Sequence, residues 1–476
     1  MDLEAFLDAD KSIVIAPAGY GKTHTIAEAI AAYNGKKKVL VLTHTHAGIA
    51  SLKKKFDELQ IPTSKYHLDT ICSYALVLTK TYHINKEEIP TEAQTSAMFK
   101  FAVEHAAKIL HANPIKKLLS AKYDHLIVDE YQDCTESQHR MIIEMAVSLK
   151  THLLGDPLQG IFGFREAIVN FDDPSFAPFY ANSQQLDMPW RWQNAGRDDL
   201  GQDLALIREK LENNEDVDFG DYHSIEFLQA AEIDYTQRGS EYKQKVYDVL
   251  RDESVLLIHP RSENPAGRVK FIQQFPQFRM IESIDDKSYY DYCDTFDRCE
   301  GNGLVVATVD MMRKLAKAGA INEWFNEHGS LKRKSDEGDL RERNKLECII
   351  EPLLARKSYG NVVALIEAIQ KLPEVKVYRR DMVDDLCKAL RDAERLGLTA
   401  KETIERNRNI IRRQGRRILG KVIGTTLLTK GLEFDTVVVL NAHQFKDRKQ
   451  LYVALTRCCK RLVVISNTPI LHPYDN

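Results

Sequence analysis

The stretch SIVIAPAGYGKTHTIAEAI, residues 12–30, decides the fold. SIVIA (12–16) reads as a buried strand and THTIAEAIAAYN (23–34) as a helix. Between them, APAGYGKT (16–23) fits G-x-x-x-x-G-K-[ST] with Ala16 in the first position. Each residue type has a reason. Gly19 and Gly21 let the backbone turn its N–H groups toward phosphate oxygens. Lys22 brings a point charge for the β- and γ-phosphates, and Thr23 a hydroxyl for Mg²⁺. The helix start adds its positive dipole end. Ala16, Pro17, Ala18, Gly19, Tyr20, Gly21, Lys22, Thr23 and Thr25 are the expected nucleotide contacts.

Outward from the loop, the pattern repeats. KKKVLVLTH (36–44), HLIVDE (125–130) and THLLGD (151–156) read as strands, and AGIASLKKKFDEL (47–59) as a helix. Strands alternating with crossover helices predict a parallel α/β sheet. Residues 75–120 break the rhythm with a helical stretch, TEAQTSAMFKFAVEHAAKIL (91–110), and read as an inserted subdomain. A second series follows in SVLLIHP (254–260), GKVIGTT (420–426), DTVVVLNA (435–442) and RLVVIS (461–466). From about 281 to 417 the chain reads as helical and charge-rich, with LKRKSDEGDLRERNKL (331–346) as a solvated helical face or exposed loop. The expected division is a first core domain at 1–180, a second at 181–280 and 418–476, and a helical insertion at 281–417.

Composition narrows the class. The chain has 476 residues, 43% hydrophobic and 28% charged, with a formal net charge of −3. That excludes a wholly disordered chain, and any basic footprint for nucleic acid must be local. No apolar run of about 18 residues occurs, so no spanning helix is expected. The acidic opening MDLEAFLDAD carries no secretory n-region. The expected location is therefore the cytoplasm, away from membranes. The eight cysteines form no C-x-x-C pair and read as reduced thiols.

HLIVDEYQD (125–133) complements the loop. An apolar strand delivers Asp129 and Glu130 at its carboxyl end, Asp129 to hold Mg²⁺ and Glu130 to polarise an attacking water. Loop and acidic pair together point to nucleoside triphosphate hydrolysis.

The full form DEYQD resembles the UvrD/Rep/PcrA family of superfamily 1 helicases, and further motifs follow in that family's order. THTHAGIASLKKKF (43–56) and LDTICSYA (68–75) resemble single-strand contact segments, placing Thr43, His44 and Thr70 on nucleic acid. GDPLQGIFGFRE (155–166) resembles the γ-phosphate-sensing element. It puts Gln159 on the nucleotide, Phe162 and Phe164 under stacked bases, and Arg165 beside them. In LDMPWRWQ (186–193), Arg191 fills the position of an arginine that reaches the γ-phosphate. TTLLTKGLEFDTVVV (425–439) matches the KGLEF element, with Gly431 and Glu433 toward nucleotide and Thr425 toward DNA. In YVALTRCCKRL (452–462), Arg457 stands where the family has its arginine finger.

The resemblance implies two RecA-like parallel-sheet P-loop NTPase core domains with mostly helical insertions. It implies ATP and Mg²⁺ as cofactors and single-stranded DNA, or DNA with a single-stranded tail, as partner. The catalytic set it implies is Lys22, Asp129, Glu130, Gln159, Arg191 and Arg457, with Thr23 and Asp129 on the metal. The implied activity is ATP-driven translocation on single strands, 3′ to 5′, in DNA repair or antiphage defence. The compact layout resembles the helicase subunit of Gabija-type antiphage systems, which implies a nuclease or other protein partner in a defence complex. The alternative is a regulatory DNA- or nucleotide-sensing ATPase component of a nuclease complex that does not unwind processively.

Several positions depart from the family pattern. His44 replaces a stacking Phe, Cys72 and Leu427 replace histidines, and no Gln precedes the loop in residues 1–15. One basic cluster, ETIERNRNIIRRQGRRILGK (402–421), reads as a nucleic-acid contact, an acidic-protein contact or a solvated face.

Overall fold

The computed structural model describes residues 1–90, 95–161, 166–260, 265–284, 286–414 and 418–474. The chain builds two six-stranded parallel sheets and an antiparallel strand pair. It divides into two compact units, Met1–Gln229 with Lys430–Asn476, and Ala230–Thr429.

In the first unit, β1 (Lys11–Ile15), β2 (Lys38–Thr43), β3 (Tyr66–Thr70), β4 (Tyr123–Val128), β5 (Lys150–Gly155) and β6 (Ser183–Gln185) pair in the order β3-β2-β4-β5-β1-β6. The pleat explains why the apolar runs are continuous. Successive side chains point to opposite faces, and both faces are covered. Val14, Val39, Val41, Ile127 and Leu154 pack on one face against Ile26, Ile30, Leu52 and Phe56 of the crossover helices Lys22–Ala32 and His46–Glu58. Ile13, Leu40, Leu42, Leu126, Val128 and Leu153 pack on the other. That second face also takes Ala102, Val103, Ala106 and Leu110 of helix Thr95–Leu110 and Met141, Ile142 and Met145 of helix Glu136–Met145.

The same unit contains β7 (Val217–Asp218), β8 (Glu226–Gln229), β12 (Phe434–Val439), β13 (Cys458–Ser466) and β14 (Ile470–Leu471). β13 pairs in parallel with β12 on one side and β8 on the other, and β14 pairs antiparallel with β7.

In the second unit, β11 (Lys421–Gly424) pairs in parallel with β9 (Val255–Ile258) and β10 (Arg279–Met280). Beside these strands lies a helical core of Tyr289, Phe296, Val309, Leu365, Ile366, Leu386, Leu390 and Ile404. Arg408 corrects one reading of the basic cluster. It is fully buried, its guanidinium lies 3.5 Å from the Tyr289 ring centroid, and it donates to Asp385 at 3.1 Å. That cation holds the helix Ala400–Gln414 to its neighbours instead of facing solvent. Arg406, two residues away, is exposed. The side chains of Arg412 and Arg413, and residues Arg416 and Arg417, lie outside the described residues. Among the described residues no helix is long and apolar enough to cross a membrane.

Candidate active site

β1 runs straight into the loop, and Ala16 N–H donates to Gly155 O at 3.0 Å, fixing the loop at the carboxyl ends of β1 and β5. Gly19 and Gly21 have φ of +80° and +85°, the left-handed region that glycine enters without strain. Close approach adds a second reason. A Cβ on Gly19 would stand 2.9 Å from Arg191 Cβ, and one on Gly21 2.9 Å from Trp190 Cδ1. Helix Lys22–Ala32 starts at Gly21 with no side-chain cap, so its first N–H groups point into the loop. Pro17 and Ala18 of the loop and Thr25 of the helix are buried, while Tyr20 and Thr23 are half-buried.

β4 ends at Val128, and Asp129 N–H extends the ladder to Leu42 O at 2.8 Å. Asp129 is buried; Glu130 follows in a left-handed turn at φ 55°. Lys22 Nζ lies 2.6 Å from Glu130 and 3.3 Å from Asp129, so the loop cation and both carboxylates share one site. Burial works to raise the Glu130 carboxyl, but Lys22 and Lys430 outweigh it and hold it at about 2. At Asp129 burial wins over Lys22 and the pKa rises. Lys22 is burdened by burial, yet the two carboxylates keep it charged, well above its usual range. Gln132 donates to Glu130 Oε2 and accepts from Asp156 N–H at 3.0 Å, tying the acidic turn to the end of β5.

The last residue of DEYQD is also paired. Asp133 receives Lys430 Nζ at 2.5 and 2.6 Å, and the same ammonium donates to Gln159 O. Burial raises Asp133 to about 6 despite Lys430.

Arg457 is buried, with Nε donating to Val453 O at 3.0 Å and a second nitrogen 3.4 Å from Gln159 Oε1. Burial and then Arg191 lower its pKa to about 10, so it stays cationic at neutral pH. Arg191 donates to Thr456 O and to Glu433 Oε1, the latter at 2.5 Å, while its buried Nε meets no partner among the described residues. Gly431, at φ +80°, begins the turn that leads to Glu433.

A buried network that sequence reasoning missed backs this set. Arg208 pairs with fully buried Asp156 at 2.8 Å and donates to the Tyr452 hydroxyl at 3.0 Å. That hydroxyl accepts Ala18 N–H of the loop at 3.3 Å, and Asp156 also accepts from Gln159 Nε2 at 2.7 Å. Locally Arg208 reads as one half of an i,i+4 pair with Glu212, at 2.7 Å, whereas the partners that tie it to the site lie 52 and 244 residues away.

The left-handed glycines, Lys22 and the unpartnered Arg191 Nε suit a polyphosphate. Thr23 and Asp129 are the hard oxygen donors Mg²⁺ takes alongside phosphate and water.

Of the expected nucleic-acid set, Thr43 and Thr70 are register partners at the carboxyl ends of β2 and β3. Thr43 is buried at the end of β2, with a hydroxyl that meets no partner among the described residues. His44 Nε2 is likewise buried and unpartnered. Burial, then the charge of Lys430, lowers the His44 imidazole to about 4. Thr70 spends its hydroxyl on Ser73 N–H at 3.0 Å, capping helix Ile71–Tyr82. Thr425 is buried in the second unit. Phe162, Phe164 and Arg165 lie outside the described residues.

Residues 3–165 match the family model of an AAA domain (AAA_19). Over 193 residues, 39% of this chain, the sequence is 27% identical to an ATP-dependent helicase/nuclease subunit of Lactococcus lactis subsp. cremoris (strain SK11), and the match spans 15% of that protein. It is 32% identical over 111 residues, 23% of this chain, to the exonuclease/helicase subunit RexA of Lactococcus lactis subsp. cremoris (strain MG1363), spanning 8% of it. The chain therefore matches only a small part of the length of these relatives. A crystal structure of Pif1 helicase from Candida albicans superposes with a TM-score of 0.40 at 11% identity, covering 98% of this chain and 93% of that one. The AAA match and the loop geometry agree on an ATP-binding P-loop domain, helicase-like in sequence.

Proposed function

We propose that this chain is an ATP hydrolase of the superfamily 1 helicase type, driven along single-stranded DNA by turnover. One observation carries the reading: Lys22, Asp129, Glu130, Gln159, Arg191 and Arg457, spread over more than four hundred residues, converge around the phosphate loop within one compact unit. ATP with Mg²⁺ supplies the phosphoanhydride and the divalent charge. Lys22 binds the β- and γ-phosphates, and in moving onto them it leaves Glu130. Losing that cation raises the carboxylate's basicity from about 2, and Glu130 then takes the proton of the attacking water. Arg457 and Arg191 meet the charge that develops as the bond breaks, a contribution of roughly 10³–10⁵ in rate for one such finger. Gln159, held by Asp156 and close to Arg457, registers whether the γ-phosphate is present.

The finer parts rest on the family resemblance and belong to the same proposal. They are 3′ to 5′ polarity, duplex unwinding, a nuclease partner, and a place in DNA repair or antiphage defence. So does the division into motor halves at 1–180 and 181–280 with 418–476, and an insertion at 281–417. A second reading, a DNA-sensing regulatory ATPase without processive unwinding, is favoured by Thr70, whose hydroxyl is committed to a helix cap.

The deciding experiment compares ATP turnover with and without single-stranded DNA, alongside strand displacement, for the natural protein and Glu130→Gln. Turnover stimulated by DNA and lost in Glu130→Gln, with nucleotide binding kept, is expected. Displacement separates the motor from the regulator. Near-normal turnover in Glu130→Gln would remove the base assignment.

A further inference from the structure

The turn that presents Glu130 is held from behind by side chains with no part in the phosphate chemistry. Tyr131 is fully buried, its ring edge-on to Phe176 and His139. Its hydroxyl lies 2.7 Å from His139 Nδ1. His139 Nε2 lies 2.8 Å from Ser175 Oγ, which lies 2.6 Å from Asp173 Oδ1. Asp173 is exposed and lines an open cavity of about 500 Å³.

The donor directions follow from the outer end. The Asp173 carboxylate only accepts, so Ser175 O–H donates to it. Ser175 Oγ then accepts His139 Nε2–H, which leaves Nδ1 bare to accept Tyr131 O–H. Burial keeps the imidazole below its usual pKa, in the neutral form this chain needs. The stacked Phe176 ring, 5.0 Å away, holds its plane. Glu130 itself, at φ 55° and ψ 40°, sits in a conformation that costs a residue with a Cβ about 1–3 kcal/mol and lasts only where neighbours enforce it.

We propose that His139 is a positioning residue: by accepting from Tyr131 it fixes the left-handed turn that holds Glu130 against Lys22 and Gln132. The proposal rests on the reading of Glu130 as the base. It concerns a histidine whose ring nitrogens meet Tyr131 and Ser175, outside the residues proposed to hold phosphate and Mg²⁺, so its effect must travel through Tyr131.

The test measures kcat and KM for ATP, with single-stranded DNA present, in the full chain carrying Tyr131→Phe, His139→Phe, His139→Gln, Ser175→Ala or Glu130→Gln, with a melting temperature for each. Tyr131→Phe and His139→Phe should each lower kcat roughly tenfold, the equivalent of about 1.4 kcal/mol, while KM moves less than about twofold. His139→Gln offers an amide oxygen and N–H at a similar separation, and should stay within roughly threefold of the natural kcat. If His139→Phe does not fold, Tyr131→Phe and Ser175→Ala decide the matter, each removing one hydroxyl and little packing. Natural kcat in folded Tyr131→Phe, with Glu130→Gln inactive, overturns this proposal alone. A His139→Gln as slow as His139→Phe overturns it too. Natural turnover in Glu130→Gln overturns the base reading, and the positioning role with it.

Discussion

At the scale of single residues, His44 shows how the site sets its own chemistry. The imidazole lies under the influence of Lys430 and Glu130, with Nε2 buried and unpartnered among the described residues. It titrates at about 4 in the fold against an ordinary 6.5. Between those values the unfolded chain binds a proton that folded His44 refuses, so stability is present above pH 6.5 and declines as pH falls toward about 4. His44→Gln carries no such proton. Its melting temperature should therefore drop less than that of the natural protein between pH 6.5 and pH 4. His125 and His152, also depressed, contribute equally to both proteins and cancel in the comparison. Parallel curves would mean that His44 titrates normally. The residues that gather around the loop as the candidate site were legible because each sits in a motif whose spacing is fixed by a strand end or a turn. Arg208 and Tyr452 were not, since they meet each other across 244 residues, and Tyr452 meets the loop at Ala18, only on folding.

At the scale of elements, the same contrast separates the strands. β1, β2, β4 and β5 were readable as apolar runs, because a parallel strand buried on both faces needs them. β6, β8 and β10 escaped, being two to four residues long and at least half polar. Pairing with a neighbour, not local preference, makes them strands. Helix Ala400–Gln414 was seen as basic, but sequence could not sort its cations. The structure buries Arg408 on Tyr289 and exposes Arg406. The two should fail differently. Arg408→Met should lower stability by roughly 1–3 kcal/mol through lost stacking and pairing with Asp385, and leave the salt dependence of single-strand binding alone. Arg406→Glu should leave the melting temperature within about 2 °C of the natural protein. If this helix tracks a phosphate backbone, Arg406→Glu should reduce the slope of log affinity against log salt by about 1. Denaturant melts and a salt titration with a labelled oligonucleotide read both. An unchanged slope in Arg406→Glu would assign the exposed face to solvent or to a protein.

At the scale of the whole molecule, the chain returns from residue 430 onward to complete the unit that its first 229 residues begin. Every expected phosphate contact lies there: the loop, the acidic pair, Arg191 and Arg457. Nucleotide that binds the folded form alone stabilises it by RT ln(1 + [L]/Kd), about 2.7 kcal/mol at a hundredfold excess over Kd. That gain is a property of the elements whose opening breaks the site. Hydrogen exchange should therefore slow on adding a non-hydrolysable ATP analogue with Mg²⁺ at β1, β4, β5 and helix Lys22–Ala32, the elements that end at or leave the loop. Helices Tyr359–Gln370 and Arg380–Leu396 share a core cluster in the other unit that contains none of these contacts, and their exchange should change less than twofold, or about 0.4 kcal/mol. Lys22→Ala, which removes the phosphate charge, should abolish the slowing at β1 and β4. Equal slowing in both units would mean that they open as one, and that nucleotide energy reaches the helical core without any contact there. Slowing that survives in Lys22→Ala would instead mean that the analogue binds somewhere other than the loop.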